Sequence, residues 1–243
     1  MIRRCGNDIV LCTKHTTYAM RVLDTGHLEH LYYGASFGWD ERTPDADICA
    51  SCDTMAARRV FPLGNTISYD KEHPALTLEN ICLEISSQGK GDPRDPFVAA
   101  RTADGCATLD FLFEDAEILR GEKVSPEGLP YALAEGHGDG FACDTLHLTL
   151  RDMPAALKLE LFYTVYDDSD VISRFARLIN ESKYPLRLER LLILKGAGRQ
   201  NNGSVCDSII MYVTYKNDPW YPDDGYARYK VSGIRYSGLV END

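Results

Sequence analysis

Residues 157–180 read LKLELFYTVYDDSDVISRFARLIN. In the first ten, Leu157, Leu159, Leu161, Tyr163 and Val165 recur at every second position, the spacing that gathers side chains on one face of a strand. Asp167, Asp168, Ser169 and Asp170 then break the apolar run. Side chains of this kind bond their own backbone and favour a turn. A second run follows at 171–180, so the stretch predicts two antiparallel strands with one face buried.

The same pattern extends in both directions. Residues 144–151, DTLHLTLR, place Leu146, Leu148 and Leu150 on one face. Residues 77–85, TLENICLEI, separate Leu78, Ile81, Leu83 and Ile85 by acids and asparagine, and are expected to form another strand. Residues 16–33, TTYAMRVLDTGHLEHLYY, break at Asp24-Thr25-Gly26 and read as a hairpin. Residues 186–194, LRLERLLIL, fit a strand or a short helix, and their alternating neighbours favour the strand. The expected fold is all-β and antiparallel, and regularly spaced strands separated by Gly, Pro and Asp turns suggest a sandwich or a barrel.

The chain has 243 residues, with 26 Lys+Arg against 37 Asp+Glu and a net charge of −11. That balance argues against nucleic acid, whose phosphates reward basic side chains, and against an anionic membrane surface. No run approaches the roughly 18–20 apolar residues of a membrane span. The opening MIRRCGNDIV lacks the apolar core of an export signal. The eight scattered cysteines then read as reduced thiols, and the expected location is cytoplasmic.

Several kinds of chemistry find no support. Gly89-Lys90-Gly91 lacks a phosphate-binding fingerprint, and no Gly-x-Ser-x-Gly elbow occurs. Cys49 and Cys52 form a C-x-x-C pair, but a closed zinc site needs four ligands and no second pair is present. No metal and no cofactor are expected. His27 and His30, three apart, fall on opposite sides of a regular strand and cannot share a metal there. Asp167, Asp168 and Asp170 read as turn residues before they read as an acid/base pair. Between residues 34 and 77 the alternation lapses, and a segment of that length is usually functional or disordered. It carries Phe37 and Trp39, while Trp220 sits in a second loop-like context. Such aromatics either stack on sugar faces or wedge loops and subunit contacts.

Further blocks carry a resemblance. HLEHLYYG (27–34), GKGDPRDP (89–96), GEKVSPEGLP (121–130) and the strand pair at 157–180 resemble, in order, segments of the N-terminal region of glycoside hydrolase family 36 α-galactosidases. Pro93 departs from the aromatic or aliphatic residue usual in the second block. PDDGYARYKVSG (222–233) is a weaker echo, and 196–220 does not match and reads as an insertion.

The resemblance implies an antiparallel β-supersandwich of two large packed sheets with few short helices, spanning 1–243 as a single domain. It also implies a non-catalytic N-terminal role that supports a (β/α)8 barrel, oligomer assembly and the shape of the substrate pocket. In that family the barrel holds the catalytic carboxylates, in K-W-D-x-N and S-D-N-x-D runs that do not occur here, so no catalytic residue is assigned and this chain alone is expected to be inactive. The implied partners are α-galactoside sugars in the full enzyme, the barrel and further copies in a homo-oligomer. A loop of the domain reaches a neighbouring subunit's pocket in such enzymes, and Asp53 is the position matched to its sugar-binding carboxylate. With Trp39 it forms the expected substrate-binding pair. The alternative is a stand-alone carbohydrate-binding module.

Overall fold

The computed structural model describes residues 1–57, 68–124, 136–137, 140–167, 169–191, 213–215 and 227–229. Asp168, residues 58–67 and 125–135, Trp220 and nearly all of 196–233 lie outside the described residues, and so do the readings that fall on them.

Two four-stranded antiparallel sheets share one core. The first is a meander of β1 (Ile2–Cys5), β2 (Asp8–Cys12), β3 (Thr16–Val22) and β4 (Leu28–Ala35). The expected hairpin is β3–β4, turning through Asp24-Thr25-Gly26. Next come α1 (Asp45–Ala56), a 3-10 turn at Leu78–Asn80, β5 (Val98–Arg101), β6 (Leu112–Arg120), β7 (Gly136–His137), β8 (Gly140–Phe141), β9 (Cys143–Asp152), β10 (Leu157–Tyr166), β11 (Ile172–Asn180) and β12 (Arg187–Leu191). Strands β11-β10-β9-β6 form the second sheet, β12 pairs with β5, and β7 with β8. A further short pair, β13 (Val213–Tyr215) and β14 (Ala227–Tyr229), forms a separate two-stranded sheet, with β13 near β11.

Alternation explains the core. Leu146, Leu148 and Leu150 of β9 lie opposite Tyr163, Leu161 and Leu159 of β10, and all six are at most 1% exposed. Ile2, Ile9, Leu11 and Met20 meet them from the first sheet. Each such side chain contributes about 1.5–3 kcal/mol of burial. Strand β2 is buried along its whole length because α1 covers its other face, where Val10 joins Cys5 and Ala19.

One expectation is corrected. Residues 77–85 do not form a strand: a 3-10 turn and a single bridge, Leu83 to Glu29, replace it. Leu78, Ile81, Leu83 and Ile85 are nevertheless all buried. Their spacing reports burial, while the backbone is held by other means. The patternless segment 34–77 contains a 12-residue helix, α1.

What holds residues 77–97 is the GKGDPRDP block. Arg94 donates to both oxygens of Asp92 at 2.7 and 2.9 Å, to the Ile81 carbonyl at 2.6 Å and to the Leu78 carbonyl at 2.8 Å. Gly89 enters this turn at φ +104°, and a Cβ there would lie 2.7 Å from Thr108 Cγ2. Gly89→Ala is therefore expected to destabilise the domain by about 1–3 kcal/mol in urea unfolding. Unchanged stability would show that the turn yields freely.

Candidate functional site

Helix α1 follows Pro44, and Asp45 and Asp47 in its first turn suit the positive end of the helix dipole. Ile48, Cys52 and Met55, spaced i, i+4 and i+7, bury one face on the first sheet. Asp53 points away from that face, with 72% of its side chain exposed. It accepts a 2.7 Å hydrogen bond from Arg21 Nη2. Arg21 also forks onto buried Asp8, through Nε at 2.6 Å and Nη2 at 3.0 Å. Those bonds to Asp8 hold Arg21 firmly charged. The sequence-predicted carboxylate thus sits on a helix, anchored by a strand cation, rather than on an open loop.

Cys49 and Cys52 lie one turn apart on α1, close to Cys5. Burial pushes the thiols of Cys52 and Cys5 up to about 12, with the charges of Asp8 and Asp45 respectively adding to it. Both pack in the small apolar cluster between α1 and the first sheet. Among the described residues no three potential ligands are grouped to hold a metal ion.

Trp39 lies in the stretch after β4, preceded by Gly38 at φ +72°. Its ring stacks on Phe37, with centroids 4.8 Å apart and planes at 15°, and Phe37 rests on Tyr32 at 4.9 Å. Trp39 packs partly against the helix layer, and it also lines an open hollow of about 270 Å³. Trp39 and Asp53 belong to the same side of the molecule but have different partners: Phe37 for one, Arg21 for the other.

The histidines separate as expected, each with its own carboxylate. His27 is buried just before β4, with Nε2 3.0 Å from Asp110 Oδ1 and Nδ1 2.8 Å from Thr25 Oγ1. Tyr69 also donates to Asp110, at 2.7 Å. His30 lies 3.3 Å from Glu84 Oε2.

Glu84 is a residue that strand periodicity does not single out. It sits fully buried between the sheets and accepts from Tyr18 and Tyr163 hydroxyls at 2.7 and 2.5 Å and from Arg174 Nη1 at 2.9 Å. Burial alone would raise its pKa; the Arg174 charge and the His30 and tyrosine hydrogen bonds outweigh it and hold the carboxyl well below the usual range. Glu160 behaves alike. Burial opposes its ionisation, but His147, Arg177 and Lys158 bring its carboxyl down to about 2. On the surface, hydrogen bonds from His15 and Thr13 bring Asp170 to about 2. In each of these acids the surroundings favour the ionised form.

A family model described as glycosyl hydrolase family 36 N-terminal domain matches residues 26–195. The chain is 30% identical over 181 residues to the bifunctional alpha-galactosidase/sucrose kinase AgaSK of Mediterraneibacter gnavus, covering 74% of this chain and 18% of that protein. The solved galactosidase domain of AgaSK is similar at a TM-score of 0.63 and 26% identity, over 79% of this chain and 25% of that one. A variant of alpha-galactosidase AgaA from Geobacillus stearothermophilus, solved in complex with raffinose, shares the fold at a TM-score of 0.63 and 24% identity, over 76% of this chain and 23% of that one. The chain spans about a fifth of the length of the curated relatives it matches.

Proposed function

Because the chain belongs to the glycosyl hydrolase family 36 N-terminal domain family, we propose that it is the non-catalytic sandwich module of an α-galactosidase-like enzyme. It packs on a (β/α)8 barrel encoded outside this sequence, helps to build a homo-oligomer and shapes the sugar pocket. The observation that carries this reading is the continuous match over 26–195 together with the likeness to the AgaSK galactosidase domain. Three of the described acids are in keeping with it. Glycoside cleavage needs a carboxyl kept protonated to donate to the leaving oxygen, whereas Glu84, Glu160 and Asp170 are all tuned to stay ionised.

Asp53 is the sugar contact of this module. A carboxylate accepts hydrogen bonds from adjacent hydroxyls, and Arg21 orients it while leaving it exposed. Trp39, held by other neighbours than Asp53, offers an apolar ring on which a sugar face can stack. The domain works in the cytoplasm, a reading supported by the seven described cysteines, none of which is in a disulfide. Among the described residues no helix is long and apolar enough to cross a membrane.

Two measurements test the proposal. The pure 243-residue chain is expected to leave a chromogenic α-galactoside intact, and turnover abolished by changing one of its own carboxylates would sink the reading. Assembled with a family barrel, the domain is expected to restore turnover, and Asp53→Asn to raise KM with a smaller effect on kcat. An unchanged KM would remove Asp53 from the pocket.

A further inference from the structure

We propose that the hollow beside Trp39 is a docking site for one ring of a neutral oligosaccharide, separate from Asp53. It lies at the seam of the two sheets, where three connections converge: the β2–β3 turn with Lys14, the stretch after β4 with Trp39 and Glu41, and the end of β10 with Tyr166 and Asp167. Its volume of about 270 Å³ falls just below that of sites for drug-sized ligands, roughly 300–1,000 Å³, and suits a single sugar ring.

The lining has the two features that sugar recognition needs. Trp39 supplies an aromatic wall, backed by Phe37, which stays 45% exposed although burial of a ring is favourable. Backing by a second ring keeps the indole still, so little freedom is lost when a ligand stacks on it. Lys14, Glu41 and Asp167 supply hydroxyl partners. Among the described residues none of the three has a side-chain hydrogen bond, whereas neighbouring Asp40 is already held by Arg42 and Thr43.

The rim is preformed. Asp170, on the β10–β11 connection, accepts from Thr13 Oγ1 at 2.7 Å and the His15 amide at 2.8 Å, and its other oxygen lies 2.7 Å from His15 Nδ1. This ties two of the three connections together. The three carboxylates of Asp40, Glu41 and Asp167 against the ammoniums of Lys14 and the Met1 terminus leave the lining slightly negative, which does not favour an anionic ligand. An aromatic wall beside carboxylates fits a neutral polyol. The choice of sugar among such ligands rests on the function proposed above.

The test is calorimetric titration of the 243-residue chain with raffinose. Saturable millimolar binding is expected, weakened about tenfold by Trp39→Ala, in keeping with the loss of one aromatic contact. Because Trp39 also packs on the helix layer, the exposed pair Glu41→Gln and Asp167→Asn gives a second reading, each expected to weaken binding severalfold with no change in melting temperature. Tyr184→Ala, an exposed aromatic elsewhere, is expected to leave binding unchanged. Absence of binding by the folded chain, or binding indifferent to both Trp39→Ala and the two carboxylate variants, overturns the site. Failure of barrel complementation with raffinose binding intact would overturn the function proposed above and leave this site standing.

Discussion

Replacing Arg174 by methionine is expected to lower the unfolding free energy by about 3–5 kcal/mol at neutral pH, because it leaves Glu84 charged and buried without its cation. Arg174 Nη1 lies 2.9 Å from Glu84 Oε1, and its guanidinium sits 4.8 Å from the centre of the Tyr163 ring. The pH dependence identifies the cause. In the native domain the Glu84 carboxyl is held below its ordinary value of 4.5. Its contribution is thus complete above that value and is lost as pH falls through the folded one. Without Arg174, the burial penalty loses its main opponent and the carboxyl titrates higher. A group raised in the folded state contributes most at acid pH and loses that contribution as pH rises. The gap between variant and parent should therefore be larger near neutral pH than at about pH 4 in urea unfolding. Adding Glu84→Leu to the variant should recover much of the loss, since an apolar replacement of both partners leaves no stranded charge. A loss under about 1 kcal/mol, or one independent of pH, would contradict the assigned role.

Leu148→Ala is the second large effect, with an expected loss of about 2–5 kcal/mol. Leu148 is 0% exposed in the middle of β9, opposite Leu161 of β10 and Ala116 of β6. Neighbouring strands pin the backbone on both sides, so the cavity left by truncation cannot easily close. Leu148→Met keeps the volume and should cost less than about 1.5 kcal/mol. Thr149, the next residue, faces away from the core, and Thr149→Ala should stay within about 1 kcal/mol. Chemical unfolding of the three variants checks the assignment of faces. Equal losses for Leu148→Ala and Thr149→Ala would contradict it.

Much of the second sheet is legible in local spacing. Strands β9, β10 and β11 fall where the alternation places them, and so do the β3–β4 hairpin and the strand at Arg187–Leu191. The helix α1 is not legible in this way. Its buried face rests on Ile48, Cys52 and Met55 alone, set among aspartates and alanines. The signal that marks it is the run Pro44-Asp45-x-Asp47, a proline and acids where a helix begins. Residues 77–85 mislead in the opposite way. Their apolar spacing is real, but an extended chain can bury alternate side chains without a strand partner, and the Asp92–Arg94 pair holds this one in place.

The candidate site is legible only as residue types. Trp39 stands out as an aromatic in a patternless segment, yet neither its stacking on Phe37 nor the hollow beside it follows from local order. Asp53 is singled out by resemblance, and its helical setting and its bond to Arg21 come from the fold.

What the sequence determined by itself was the period of its strands and membership of a family, because both are written in local spacing and in ordered blocks of residues. Only the tertiary structure decided which distant groups meet: Glu84 with an arginine 90 positions away, and three separate connections around one hollow. Strand periodicity follows from backbone geometry within a few residues, whereas these encounters depend on how two sheets close over a common core, which no short stretch of chain specifies.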